Sequence, residues 1–160
     1  MLEKRNLKKG FTLLEVLIAT AIFTFGALAV FAIQMQAIRT TAAARNLQEG
    51  TRLAQYPIKA FETFRFNEIY NFVSSGTSRT YSTTSSPSFP TGSATQEVMT
   101  YWRNSIMSAF PGSGVGTLTV QLERVGTEDK TAKFISEVTW RDEKGLHRVQ
   151  VEEILANAFY

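Results

Sequence analysis

Cysteine is absent from the 160-residue chain, and histidine occurs only once. The lack of cysteine excludes disulfide bonds, thiolate catalysis and cysteine-ligated metals, and it leaves the redox compartment of the protein open. The single histidine, His147, lies in a segment of strand-like alternation. This setting favours a surface or half-buried strand position over a catalytic or metal-binding role.

The sequence also lacks the short motifs of the common enzyme classes. It contains no glycine-rich phosphate loop, no Gly-x-Ser-x-Gly elbow and no histidine-carboxylate metal spacing. We therefore predict that the protein is not an enzyme and that it holds no cofactor and no metal.

An excess of positive charge is found only in the first ten residues. The formal net charge is +3, but residues 1–10 carry four basic side chains and one acidic side chain, which leaves 13 of the 17 basic and 13 of the 14 acidic residues for the rest. A chain without its first ten residues is therefore formally neutral. Because sequence-independent binding to nucleic acid depends on excess positive charge, nucleic acid is not an expected partner.

A long apolar run follows the basic segment. Residues 11–33 read FTLLEVLIATAIFTFGALAVFAI, in which Glu15 is the only ionisable side chain. A helix of this length extends about 35 Å, which is enough to cross a hydrocarbon core of about 30 Å. The positive-inside rule places residues 1–10 in the cytoplasm and the remainder outside.

An ordinary secretory signal peptide is the main alternative for this region. In that interpretation Ala27-Leu28-Ala29 is the small-x-small cleavage site. Two features argue against it, because the apolar run exceeds the usual signal-peptide core of about 7–15 residues and Glu15 lies inside it.

Glu15 needs a physical explanation, because a carboxylate in a membrane segment is costly and usually has a functional partner. The plainer alternative is that Glu15 snorkels to the interface, or complements the dipole at the helix N-terminus.

The segment KKGFTLLEVLIA, residues 8–19, resembles the prepilin cleavage and methylation motif of type IV pilins and type II secretion pseudopilins. The resemblance implies that a membrane-embedded prepilin peptidase and methyltransferase cuts between Gly10 and Phe11 on the cytoplasmic face. It further implies N-methylation of Phe11 and retention of the helix, and that Glu15 pairs with the Phe11 amine of a neighbouring subunit during assembly. The other motif residues are Lys8, Lys9, Thr12, Leu13 and Leu14.

The chain after the apolar run predicts an α+β fold with one folded head. Residues 34–72 continue the helix with an amphipathic pattern, in which Leu47, Ala54, Ile58 and Phe61 mark the apolar face and Pro57 predicts a kink or break. The aromatic set predicted to pack in the core comprises Phe61, Phe64, Phe66, Tyr70 and Phe72.

Residues 73–97 are rich in Ser and Thr and predict a loop, whereas residues 98–160 predict a head with a short helix and strands. Helical spacing runs up to Pro111-Gly112 through Val98, Met99, Trp102, Ile106, Met107 and Phe110. Three alternating runs predict a meander within an antiparallel sheet of three to four strands; they contain Leu118, Val120 and Leu122, then Phe134, Val138 and Trp140, and then Val149 and Val151.

A softer resemblance concerns the type of subunit. Residues 26–29, 34–39 and 52–55 look like those of minor pilins of the PilV type, which are thought to prime assembly or to sit at the pilus tip. Ala32 stands where many major pilins have a helix-breaking proline, and the C-terminal cysteine pair of many pilins is missing. The resemblance implies a minor pilin that partners other pilin subunits and an inner-membrane assembly platform.

Two alternatives to a minor pilin remain. One is a type II secretion pseudopilin, and the other is an unrelated single-span or secreted protein with an accidental motif match. The expected location is the inner membrane, as a single-pass protein with a cytoplasmic N-terminus, followed by a periplasmic or extracellular filament.

Overall fold

The computed structural model describes residues 11–64, 68–69, 73, 77–84, 93–125 and 128–156. The predicted leader therefore lies outside the described residues, as do Phe66, Tyr70 and Phe72. The elements are α1 (Leu13–Glu62), β1 (Ser78–Ser82), α2 (Ala94–Ala109), β2 (Val115–Val125), β3 (Glu128–Asp142) and β4 (Gly145–Ala156). The chain divides into two compact units, residues 1–44 and 45–160.

The described part of the first unit is entirely helical from Leu13 onward. Its apolar side chains are exposed, and the most apolar stretch of α1 has a mean hydropathy of 2.5. By length and composition α1 can therefore cross a membrane.

The threonines of this apolar stretch satisfy their own hydroxyl groups. The Thr20 hydroxyl donates to the carbonyl oxygens of Val16 and Leu17 at 3.0 and 2.9 Å, and the Thr24 hydroxyl donates to the Thr20 carbonyl at 2.7 Å. Since a lipid interior offers no hydrogen-bonding partner, these bonds let both threonines lie in an apolar span.

The second unit contains an antiparallel sheet whose strand order, β1-β2-β3-β4, follows the chain. The register pairs Val120 with Phe134 and Val138 with Val149. The inner face of the sheet is apolar apart from the buried Ser136, as the alternating patterns predicted, with Leu118, Val120, Leu122, Ala132, Phe134, Val138 and Trp140 all buried. The α+β class is confirmed, with the long helix packed on a four-stranded sheet.

Two helical segments cover the inner face of this sheet. The end of α1 supplies Leu53, Ala54, Ile58 and Phe61, and α2 supplies Met99, Trp102 and Ile106. Close approach depends on glycine at two points. A Cβ on Gly50 would lie 2.5 Å from Trp140, and a Cβ on Gly116 would lie 2.4 Å from Ile106.

Two predicted core positions are wrong. Leu47 and Met107 are 53% and 54% exposed, whereas Leu53, which the pattern omitted, is buried. Leu47 lies on the same face of α1 as Ala54, but burial begins only at Gly50, one turn later. Met107 lies beside the buried stripe of α2 that contains Met99, Trp102 and Ile106.

The predicted effect of Pro57 is also wrong in part. No second helix begins there, because α1 continues through Pro57 to Glu62. Proline lacks the amide proton that would bond to the carbonyl of Leu53 four residues earlier. The indole nitrogen of Trp102 donates to that carbonyl instead, at 2.7 Å in the buried core. This replacement donor compensates for the lost helical bond and lets the helix continue.

Part of the predicted Ser/Thr-rich loop is regular structure. Residues 78–82 form β1, and α2 begins at Ala94 with the Ser93 side chain as its N-cap. β1 pairs with β2, buries Tyr81, and brings the Thr80 and Thr119 hydroxyls within 2.9 Å. Threonine and tyrosine suit a half-buried edge strand, a preference that the Ser/Thr content of the segment obscured.

Candidate processing and assembly site

The candidate site is the start of α1. Phe11, Leu13 and Leu14 are 87%, 80% and 66% exposed, so the apolar side chains at this end of the chain are accessible. Lys8, Lys9 and Gly10 lie outside the described residues. The predicted cleavage position therefore stays a prediction, and its first residue on the helix side, Phe11, is accessible.

Thr12 and Glu15 form a capping box at the helix N-terminus. The Glu15 Oε2 atom accepts hydrogen bonds from the Thr12 backbone nitrogen at 2.9 Å and the Thr12 hydroxyl at 3.0 Å. In return, the Glu15 backbone nitrogen donates to the Thr12 hydroxyl at 3.3 Å. This reciprocal pattern satisfies amide donors that an unfinished helix end leaves open.

The capping box fixes where the carboxylate lies. Within residues 11–64, hydrogen bonds to Glu15 reach only Oε2, so Oε1 can accept from a group outside the chain. The spacing Thr-x-x-Glu at residues 12–15 is the sequence signal of this box. Within one chain, Glu15 therefore contacts the helix N-terminus, and its role in assembly stays a prediction.

The one histidine of the chain, His147, contacts a carboxylate and stacks on an aromatic ring. His147 Nε2 lies 2.8 Å from Asp142 Oδ1 across the β3–β4 turn, and the imidazole stacks on Trp140 with ring centres 5.4 Å apart. The close contact with His147 Nε2, together with the Lys144 amide that donates to Asp142 Oδ1 at 2.7 Å, holds the pKa of Asp142 below its usual value. No hydroxyl side chain bonds to His147 among the described residues, so this pair does not form a nucleophilic triad there.

Acidic side chains in the described residues are dispersed. No group of three or more histidine, aspartate or glutamate residues in that part of the chain is placed to hold a metal ion. One carboxylate contact involves Glu153, whose pKa is raised mainly by a hydrogen bond with Glu62.

A family model described as the prokaryotic N-terminal methylation motif matches residues 5–31. The match supports a type IV pilin-like protein. It implies processing by a prepilin peptidase and assembly with other pilins in a membrane system, and it points to a structural subunit. The motif does not separate a pilus subunit from a type II pseudopilin. No curated protein and no solved structure gives a significant match to the chain.

Proposed function

We propose that the protein is a structural subunit of a type IV pilus, of the minor type that initiates assembly or lies at the tip. The observation that carries the proposal is the methylation motif at residues 5–31 leading into a helix whose apolar part contains one carboxylate, Glu15. Ala32 within the helix and the absence of cysteine favour a minor over a major subunit, by the resemblance described above.

Processing creates the partner of Glu15 in this proposal. Cleavage after Gly10 leaves a cationic amine on Phe11, four residues before the carboxylate. When two helices pack in an apolar surrounding, the amine of one subunit meets the carboxylate of the next. Paired charges cost far less than isolated ones in such a place, so this contact sets the register while the apolar side chains supply adhesion.

The first test is the N-terminus of the protein in the membrane fraction. Intact-mass analysis should give a chain that begins at Phe11 with one added methyl group and retains the hydrophobic helix. A chain that begins at Val30 would instead support the signal-peptide alternative. A full-length chain that still starts at Met1 in a strain with active prepilin peptidase would contradict the processing step.

The second test separates charge pairing from helix capping. Glu15→Val removes the carboxylate, so membrane insertion should be unchanged or better, since a cost of up to about 3 kcal/mol disappears. Assembly should fail, because a buried amine without its counter-charge typically costs about 3–5 kcal/mol.

Thr12→Val is the matched control for this test, because it removes the hydroxyl of the capping box but keeps the carboxylate. We expect Thr12→Val subunits in sheared filaments and Glu15→Val subunits only in the membrane. Equal loss from filaments in both variants, when both are cleaved to begin at Phe11, would show that Glu15 acts through the cap alone.

The type of filament is tested by deleting the gene. Loss of surface pili and of twitching with normal secretion supports the minor-pilin proposal. Loss of protein secretion with normal pili would assign the chain to a type II secretion system, the alternative that the shared motif leaves open.

A further inference from the structure

Among the strands of the described residues, none pairs with the outer edge of the fourth strand, β4. β4 is the last strand of the order β1-β2-β3-β4 and spans 12 residues, whereas the opposite edge strand, β1, spans five. β4 contains no proline, and the irregularity in the sheet lies between Glu123 and Arg124 of β2. An edge of this length without a bulge or proline is a template for a further strand.

The backbone hydrogen bonds show which residues of β4 face this edge. The Leu122 nitrogen bonds to the Thr77 carbonyl, and the Thr83 nitrogen bonds to the Gly116 carbonyl, so even-numbered residues of β2 direct their backbone toward β1. Because these directions alternate along a strand, the register of each strand pair carries the pattern across the sheet. Odd-numbered residues of β4 consequently bond to β3, and the even-numbered residues present their backbone groups at the free edge.

The side chains of the same even-numbered residues are exposed on the outer face. In order they are Leu146, Arg148, Gln150, Glu152 and Ile154, which reads apolar, basic, neutral, acidic, apolar. The two apolar ends are 67% and 62% exposed. When the series is reversed about Gln150, the basic residue falls opposite the acidic residue, and the two apolar residues fall opposite each other.

We propose that β4 pairs with β4 of a second copy of this chain, antiparallel and about a two-fold axis at Gln150. In this register Gln150 faces itself, Arg148 faces Glu152 of the second copy, and Leu146 faces Ile154 of the second copy. All of these pairs join residues whose backbone groups point to the edge, so they form about ten new inter-strand hydrogen bonds. Two four-stranded sheets then become continuous.

Charge selects this register over its neighbours. Shifting the second copy by two residues places Arg148 opposite either Gln150 or Ile154, so both ion pairs of the symmetric register are lost. Edge charges usually prevent pairing, because like charges meet. Here the opposite charges lie at equal distances from Gln150, so they attract in the self-paired arrangement.

The charged side chains are already held in place within one chain. Arg148 hydrogen-bonds to Glu137 and, at 3.2 Å, to the Gln150 side chain. Gln150 in turn donates to Glu152 at 2.9 Å, and Lys133 lies 2.9 Å from Glu152. Across the paired edge the charges therefore alternate in sign, from Glu137 through Arg148 to Glu152 and Lys133 of the second copy.

The inner face also fits this pairing. Val149 and Val151, which are half-buried at the margin of the core, face each other across the two copies in the same register. β-branched side chains in direct cross-strand contact stabilise an antiparallel pair. The proposal does not depend on the proposed pilus function, because it uses only the folded second unit.

Cysteine linking in the full-length chain tests the pairing, since the chain has no cysteine of its own. The purified protein in detergent, away from any assembly machinery, is treated with a mild oxidant. Residues paired by hydrogen bonds have Cα atoms about 5.5 Å apart, which suits a disulfide. Gln150→Cys should give linked dimers.

Gln121→Cys is the matched control, because Gln121 is an exposed glutamine on the same face but in the internal strand β2. It should stay largely monomeric. Equal linking of the Gln150 and Gln121 variants, or no linking of either, would overturn the proposal.

The register is tested with two differently tagged chains, Arg148→Cys and Glu152→Cys. The mixture should link at least several-fold more than either chain alone, because identical positions lie four residues out of register, or about 14 Å apart. Self-linking of Arg148→Cys as strong as the mixed linking would exclude the two-fold register at Gln150.

A backbone variant tests the edge itself. Gln150→Pro removes an amide proton that points away from β3, so the sheet should keep its own hydrogen bonds. Introduced into the mixed cysteine pair, it should abolish the link, whereas Gln150→Ala should retain it. Undiminished linking in a folded Gln150→Pro protein would refute edge pairing. Should Gln150→Pro fail to fold, the comparison of Gln150→Cys with Gln121→Cys still decides.

Discussion

The contact between Trp102 and Leu53 predicts a measurable coupling with Pro57. Trp102→Phe retains an aromatic ring but removes the indole donor that the Leu53 carbonyl accepts at 2.7 Å. Both side chains are fully buried, so no water replaces the donor without opening the core. A buried acceptor left without its donor costs about 1–3 kcal/mol, and the smaller ring adds a packing cost.

The cost should depend on what occupies position 57. In a Pro57→Ala background, residue 57 regains an amide proton, and that proton can donate to the Leu53 carbonyl as an ordinary helical bond. Trp102→Phe then loses packing but leaves no acceptor unpaired. We therefore expect the destabilisation by Trp102→Phe to be smaller with alanine at position 57 than with proline, by about 1 kcal/mol or more.

Urea unfolding of the full-length chain in detergent measures this double-mutant cycle. The chain has two tryptophans, Trp102 and Trp140, and both lie in the second unit. The fluorescence of Trp140 therefore reports the unfolding of that unit in every variant. A coupling of 1 kcal/mol corresponds to about 2–8 °C in a thermal melt. If the two substitutions were additive within about 0.5 kcal/mol, the indole bond would not be compensating for the proline.

Two further predictions concern the same unit. Gly50→Ala should lower its stability by about 1–3 kcal/mol in the same assay, because the new Cβ meets Trp140 and this overpacking outweighs the helix propensity of alanine; Gly26→Ala, with open space around it, should leave Trp140 unfolding unchanged. Asp142→Asn should weaken the dependence of the unfolding free energy on pH in the acidic range. Because the pKa of Asp142 is lowered in the folded state, its carboxylate stabilises the fold at pH values above the usual pKa of about 3.9. This stabilisation is lost as the pH falls through the lowered pKa. Identical profiles of stability against pH for wild type and variant would contradict this.

The strands of the sheet were predictable because their signal is local. Leu118, Val120, Phe134 and Trp140 fall on alternate positions, and each alternation was long enough to state which face is buried. The α+β class and the membrane-length helix follow in the same way from period and length. Prediction needed no knowledge of what lies across the core.

The missed features depend on residues distant in the chain. Nothing around Pro57 in the sequence shows that Trp102, 49 residues beyond Leu53, supplies the missing hydrogen bond. Leu53 itself is buried because α2 covers it, and the spacing within α1 does not reveal this. The short strand β1 likewise forms because β2 offers an edge to pair with.

The candidate site was predictable in its residues but not in its local geometry. The motif identified Phe11 and Glu15 directly, whereas the hydrogen bonds between Thr12 and Glu15 were overlooked even though their spacing is a known capping signal. The self-complementary edge of β4 was not foreseen. It depends on whether the odd- or the even-numbered residues of β4 bond to β3, and the register of the whole sheet decides this.

The strand order has a consequence for how the second unit folds. Each strand pairs with the next one in the chain, and two residues join β3 to β4. A hairpin such as β3–β4 closes quickly, within about 1–10 μs, because little chain entropy is lost. The contacts with α1 are different, since Gly50 and Trp140 meet across most of the unit. Since α1 is synthesised before the strands, we expect the sheet to dock onto α1 more slowly than the β3–β4 hairpin closes.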